Sequence, residues 1–442
     1  MTAMGGVLAK AEKGVIPGPR EEARLERTAR KVLAKVEAAA DSFDEIAEVT
    51  AGGSFAKGTW LPRDVDIDIF VKISPSVDEA RFELIGLTVG REAARGYPHG
   101  KKYAQHPYTE AIVDNVKVNI VPCYDVKPGE WRSAADRSPY HVEFVRKNMD
   151  EEKKTQVRLL KRFMKVVGVY GAEIEKEGFS GYATEVLVHL HGSFQKALEY
   201  FATLRPTDGV LFTLRDPVDE ERELSRAISK ESVAKMVLAS RAFLDRPDLR
   251  FFKRVDPYVR KGLRRRLYAV RFDHRRLSED TLWGELKKST RQLVKHVEAN
   301  GFTISKAAAC SNDVDASAIV LLPETESLSE MEERVGPGVE LASEVDRFIT
   351  KNRRRAELVW AAEDGRIHIL QKRGYTELSS LLADVRPKMS LIGASREVAS
   401  SVKRNGRMLH GAALQRETSK ERWFREGVEQ VVKDSVGTDR AR

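Results

Sequence analysis

Gly52-Gly53-Ser54-Phe55-Ala56-Lys57-Gly58-Thr59-Trp60-Leu61-Pro62-Arg63-Asp64-Val65-Asp66-Ile67-Asp68-Ile69-Phe70 is the stretch on which the reading of this chain turns. A small Gly-Gly-Ser turn leads, after eleven residues, into an alternation of apolar and acidic side chains. Strand side chains alternate between faces, so Asp66 and Asp68 leave the same face of one strand. Two like charges held together are unfavourable without a cation between them. Mg2+ takes a few carboxylates with phosphate oxygens and water rather than an all-protein cage. A nucleoside triphosphate brings those phosphates. Backbone amides of the turn at Gly53 and the Ser54 hydroxyl can donate to phosphate oxygens, and Lys57 adds a positive charge beside them. The stretch has the chemistry of half a nucleotidyl-transfer site.

Outward from it, residues 20–45 carry Leu25, Val32, Leu33 and Val36 at helical spacing, which predicts an amphipathic helix over one face of a sheet. A second helix is expected over 78–95, ended by Gly96-Tyr97-Pro98. Two alternating runs, 105–113 and 116–124, flank Asp114-Asn115 and read as a hairpin with those two residues in the turn. Its second strand, Val116-Lys117-Val118-Asn119-Ile120-Val121-Pro122-Cys123-Tyr124, returns below.

Gly-Ser, about a dozen residues and Asp-x-Asp in an apolar strand resemble the DNA polymerase beta-like nucleotidyltransferase superfamily. The longer string Gly53 to Pro62 with Asp66-Ile67-Asp68-Ile69-Phe70 resembles the archaeal, class I CCA-adding tRNA nucleotidyltransferases. The resemblance spans residues 50 to roughly 425 and implies an α+β multidomain chain. Its expected parts are a polymerase-beta-like head (1–145), a mostly helical neck completing the nucleotide pocket (146–256) and a basic α+β body plus tail (257–442), with internal boundaries near 340 and 395. The implied activity is template-independent addition of C, C and A to the 3′ end of tRNA from CTP and ATP with two divalent metals, Mg2+ being the expected ion. The implied RNA contacts are the acceptor stem, the T-arm and the 3′ end. A homodimer is left open.

In that family the second hairpin strand carries the third metal-site carboxylate; here the position is Asn119. Asp66, Asp68 and Asn119 are thus the expected catalytic and metal-holding set. An amide oxygen can coordinate, but it is uncharged and cannot accept a proton from the attacking 3′ hydroxyl. Turnover is expected to be impaired with the nucleotide site intact, through an engineered change or a natural loss, unless the alignment slips and Asp114 or Glu110 serves instead. The resemblance places Gly53, Ser54, Lys57, Lys161 and Tyr170 at the triphosphate, Arg222 at the base, and His141 near the RNA acceptor end. Without the resemblance, Lys161 reads as a solvated helix residue and Arg222 as a surface ion pair. Two rivals stay open: a poly(A) or oligoadenylate-type polymerase of the same superfamily, and a tRNA-binding protein that has lost catalysis.

The rest of the chain carries weaker signals. Asp136-Arg137-Ser138-Pro139 reads as a loop with a helix cap at Ser138. Helices are expected from Lys153, over 183–200, over 232–248 and over 281–300. Residues 253–276 mix ten Lys and Arg with Tyr258, Tyr268 and Phe272, which favours RNA backbone contact with some stacking. Strands near 302–304 and 318–322, then a helix near 330, suggest a unit like an RNA-recognition fold without its aromatic motif. Gly336-Pro337-Gly338 reads as a break before strands 357–361 and 366–370, and the last few residues are expected to be disordered.

Bulk properties agree with a polyanionic partner. Lys plus Arg number 76 against 67 Asp plus Glu, a net charge of +9. No apolar core precedes the first charged residues and no run long enough to span a membrane occurs, so a cytoplasmic protein is expected. Cys123 and Cys310 show no metal-ligand spacing and are expected to be reduced and inert.

Overall fold

The computed structural model describes residues 3–205, 212–253 and 261–433, which divide near residue 257 into two compact units. The first unit opens with α1 (Ala3–Val15), α2 (Pro19–Ala40), β1 (Ile46–Gly52), α3 (Gly53–Lys57), β2 (Asp66–Ile73), α4 (Glu79–Ala93), β3 (His99–Tyr103), β4 (Pro107–Val113) and β5 (Val116–Tyr124). The strands form one sheet in the order β1-β2-β5-β4-β3, with β2 and β5 parallel and the other neighbours antiparallel. Ile67, Ile69, Val71, Val118 and Ile120 meet Leu25, Val32 and Val36 of α2 and Phe82, Ile85 and Val89 of α4. This core hides one face and leaves the aspartate face open. The hairpin turn is as expected: Asp114 and Asn115 both take positive φ, +50° and +59°, as the tight hairpin turn demands. The Gly-Gly-Ser segment is more than a turn, since residues 53–57 form the short helix α3.

Five more helices follow: α5 (Arg137–Asn148), α6 (Glu151–Val167), α7 (Gly181–His191), α8 (Phe194–Thr203) and α9 (Lys230–Asp245). With α1 they enclose a second core rich in phenylalanine, including Phe163, Phe194, Phe243, Phe251 and Phe252. Two local expectations are corrected. The cap before α5 is the Ser133/Asp136 box rather than Ser138. The helix expected over 183–200 is two helices, because Gly192 turns left-handed and the Ser193 hydroxyl caps α8.

The second unit holds β6 (Tyr268–Asp273), α10 (Glu279–Ala299), β7 (Ile304–Ser311), β8 (Ala316–Pro323), β9 (Met331–Gly338), α11 (Ala342–Asn352), β10 (Ala356–Ala361), β11 (Arg366–Lys372), α12 (Leu378–Val385), α13 (Arg396–Asn405), β12 (Arg407–His410), α14 (Gly411–Lys420) and α15 (Arg422–Val431). The order β12-β6-β8-β7, all antiparallel, with α10 after the first strand and α13 before the last, is the topology of an RNA-recognition fold. A smaller sheet, β10-β11-β9, is inserted between β8 and α13. The helix expected near 330 is therefore the strand β9, which pairs with β11 through Gly338; Gly336-Pro337-Gly338 ends a strand rather than breaking the chain.

The stacking expected of residues 253–276 is also corrected. Tyr268 and Phe272 are buried in the core against α10 and α13, and the opposite sheet face is covered by Phe424, Val428 and Val431 of α15. Arg271 is buried too, paired with Asp273 and Glu421. Arg265, Arg266, Arg275 and Arg276 stay exposed, while Arg254, Tyr258 and Arg260 lie outside the described residues, as do the last few residues. Cys123 and Cys310 are free and buried, and burial pushes both thiols up, Cys310 to about 12. No helix among the described residues is long and apolar enough to cross a membrane.

Candidate functional site

The open sheet face in the first unit brings the expected residues into one row. Gly52 pairs with Asp68, Asp68 with Asn119, and Asn119 with Glu110, across β1, β2, β5 and β4. Glycine is required at the edge of this row. A Cβ on Gly52 would fall 2.1 Å from the Phe70 ring, and one on Gly53, which has φ +62°, would fall 1.8 Å from Asp68 Oδ2. The absence of side chains there lets the backbone that carries Ser54 lie against the carboxylates.

Asn119 Nδ2 donates to Asp68 Oδ1 at 2.8 Å, and its Oδ1 is buried with no hydrogen-bond partner. Burial pushes the Asp68 carboxyl up; the Asn119 amide pulls part of that back and the nearby Asp66 charge adds to it. Asp66 Oδ2 holds Lys117 Nζ at 2.7 Å. Two carboxylates whose charges oppose one another, with an orphaned amide oxygen beside them, form a hard-oxygen set that fits a divalent ion. Asp114 does not belong here: it sits in the hairpin turn and accepts from Thr28 and Lys31.

Below the row, a buried charge cluster joins α3 to the helices. Lys57 Nζ lies 2.8 Å from Glu185 Oε2, Lys161 Nζ 3.1 Å from Glu185 Oε1, and Lys161 also donates to the carbonyl and hydroxyl of Thr59. Burial opposes ionisation of Glu185, but Lys57 and then Lys161 outweigh it and hold the carboxyl down at about 2. Lys161 is thus a buried ion and not a solvated helix residue. Tyr170 approaches the same place: a Cβ on Gly181 would lie 3.0 Å from the Tyr170 hydroxyl and 3.7 Å from Lys161 Nζ. Arg146 and Arg158 donate to the carbonyls of Ala56 and Gly58, holding the C-terminal end of α3.

A third cluster gathers His141 and Arg222 on Asp216. This wholly buried carboxylate accepts from His141 Nε2 (3.1 Å), Tyr182 Oη (2.9 Å), Arg222 (3.2 Å) and the Val218 amide (2.9 Å). The His141 and Tyr182 rings stack 3.6 Å apart. Burial disfavours the Asp216 charge, yet these hydrogen bonds, that of His141 first, hold the carboxyl at about 2. Burial lowers His141 below the usual imidazole range, against the opposing pull of the Asp216 hydrogen bond and charge. Arg222 is consequently no simple surface pair, since its partner is completely buried.

Sequence reading missed Thr59, Glu185, Tyr182 and Asp216. A signal existed for Glu185, which stands alone as an ion in the apolar run Tyr182 to Val188. Three family models match the chain: "Nucleotidyltransferase domain" over residues 33–141, "tRNA nucleotidyltransferase, second domain" over 155–253, and "CCA-adding enzyme, C-terminal domain" over 264–411. A CCA-adding enzyme of Pyrobaculum islandicum is 33% identical over 395 residues, 86% of this chain and 93% of its own length. One from Sulfurisphaera tokodaii is 34% identical over 378 residues, 82% and 88% of the two chains. Among solved structures, a Cid1 poly(U) polymerase is 13% identical with a TM-score of 0.45, covering 57% of this chain and 99% of that one.

Proposed function

The chain belongs to the family of CCA-adding enzymes, and from that premise we propose that it completes the 3′ end of tRNA with C, C and A, using CTP and ATP, in the cytoplasm. The observation that carries the reading is the row Asp68-Asn119 beside Gly53-Ser54, with Asp66 on the same face. Asp66, Asp68 and the Asn119 oxygen would hold the divalent metal, Mg2+ in this reading. When bound, it supplies positive charge to the triphosphate and eases ionisation of the attacking 3′ hydroxyl.

The protein's own groups do the rest. Ser54 and the Gly53 amide bind phosphate oxygens. Lys57, Lys161 and Tyr170 bring positive charge and a hydroxyl toward them, two ammonium groups against the single Glu185 carboxylate. Arg222, aimed by Asp216, presents a planar donor fork to the base, and His141 lies toward the RNA end. A head of 1–145, a neck of 146–256 and an RNA-binding body and tail of 257–442 fit this division of labour.

The test incubates the protein with Mg2+, labelled CTP and ATP, and tRNA lacking its 3′ CCA. Extension that needs both nucleotides and that tRNA supports the assignment. Addition of A alone to any RNA would favour the polymerase rival, and binding without extension in any variant the non-catalytic one.

Two substitutions probe the parts. Gly53→Ala is expected to slow addition by more than about tenfold with tRNA affinity kept, because the new methyl occupies the place of an Asp68 oxygen. An unchanged rate in a steady-state assay would remove the close approach from the mechanism. Arg222→Lys is expected to lower discrimination of CTP and ATP over UTP by about tenfold, read from competing incorporation, while filter binding of tRNA stays as before.

A further inference from the structure

We propose that Glu110 supplies the metal site with the third carboxylate, the charge that Asn119 lacks. The inference rests on the nucleotidyl-transfer reading above. Glu110 stands directly opposite Asn119 in the β4–β5 ladder, and Asn119 stands beside Asp68 in the β2–β5 ladder. Residues paired across a ladder share a face, so the three form one row on the open side of the sheet. Neighbouring strands lie about 4.8 Å apart. A glutamate is one methylene longer than an aspartate, so a carboxylate starting one strand further out can reach the ion or a water on it.

Two further observations point the same way. The Asn119 amide nitrogen is committed to Asp68, and its oxygen is buried without a partner, so the centre of the row holds an acceptor with nothing to accept from. The ion pair of Glu110 with Lys102 is long, 3.9 Å, and commits the carboxylate weakly. The acid count of the site is therefore kept at three and displaced by one strand: Asp66, Asp68 and Glu110.

Mn2+ binding, followed by electron paramagnetic resonance, tests this in the parent chain, Glu110→Gln, Asn119→Asp and the double variant, beside the rate of CCA addition. Glu110→Gln is expected to weaken Mn2+ by about tenfold in the parent and by less than about twofold where Asn119→Asp has restored the inner carboxylate. Mn2+ affinity unmoved in the parent, or lowered equally in both backgrounds, overturns the proposal. Failure of the Asn119→Asp protein to extend tRNA would count against the functional reading alone, because the Mn2+ comparison still decides the role of Glu110.

Discussion

Asn119→Asp is expected to speed CCA addition by on the order of 100-fold, the range seen when one preorganised charged or hydrogen-bonding group at a reacting centre is gained or lost. The amide now donates to Asp68 and leaves its own oxygen idle. A carboxylate in its place puts charge on the inner strand beside the primer hydroxyl, where Glu110 acts only from one strand further out. CTP and ATP affinity should change little, because Ser54, Lys57, Lys161 and Arg222 stay as they are. Rapid-quench rates at saturating nucleotide give the first quantity and equilibrium binding the second. Equal rates for the two proteins would show that the asparagine is no brake.

Glu185→Gln is expected to destabilise the first unit by about 3–5 kcal/mol, the usual cost of leaving buried charge uncompensated. Its carboxylate is the counter-ion of both Lys57 and Lys161. Denaturant melts read the loss, and a lysine-to-methionine change at Lys161 on top of it should recover part of the stability. The same pair predicts an acid response. The folded carboxyl sits at about 2 against an ordinary 4.5. Its contribution is thus fully present above the unfolded value and drains away as pH falls from about 4.5 toward 2. A melting curve flat through that window, or a Glu185→Gln protein as stable as its parent, would show that the cluster carries no net electrostatic support.

The head was legible because its signals are local. Alternation gave β2 and β5, and Asp-Asn named the turn between β4 and β5. What stayed hidden depends on distant partners. β6 carries Arg271, which reads as one of the RNA-contacting cations of residues 253–276 until Glu421 appears beside it, 150 residues away. β9 begins Met-Glu-Glu-Arg, a pattern with no apolar face of its own, and becomes a strand only by pairing with β11. Lys57 reads only as a cation beside the phosphates and Lys161, without the resemblance, as a solvated helix residue until Glu185 joins them, and Asp216 shows nothing in sequence of its four donors.

The strand order β12-β6-β8-β7 also governs how the second unit comes into being. β6 is made early, yet its neighbour β12 and the covering α15 emerge more than a hundred residues later. Until then one edge and one whole face of a finished three-stranded sheet stand bare, the condition under which nascent chains associate wrongly. Such long-range closure is slow. A ribosome that stops before residue 407 therefore releases an aggregation-prone fragment, and the last helices act, during synthesis, as the lock on everything made before them.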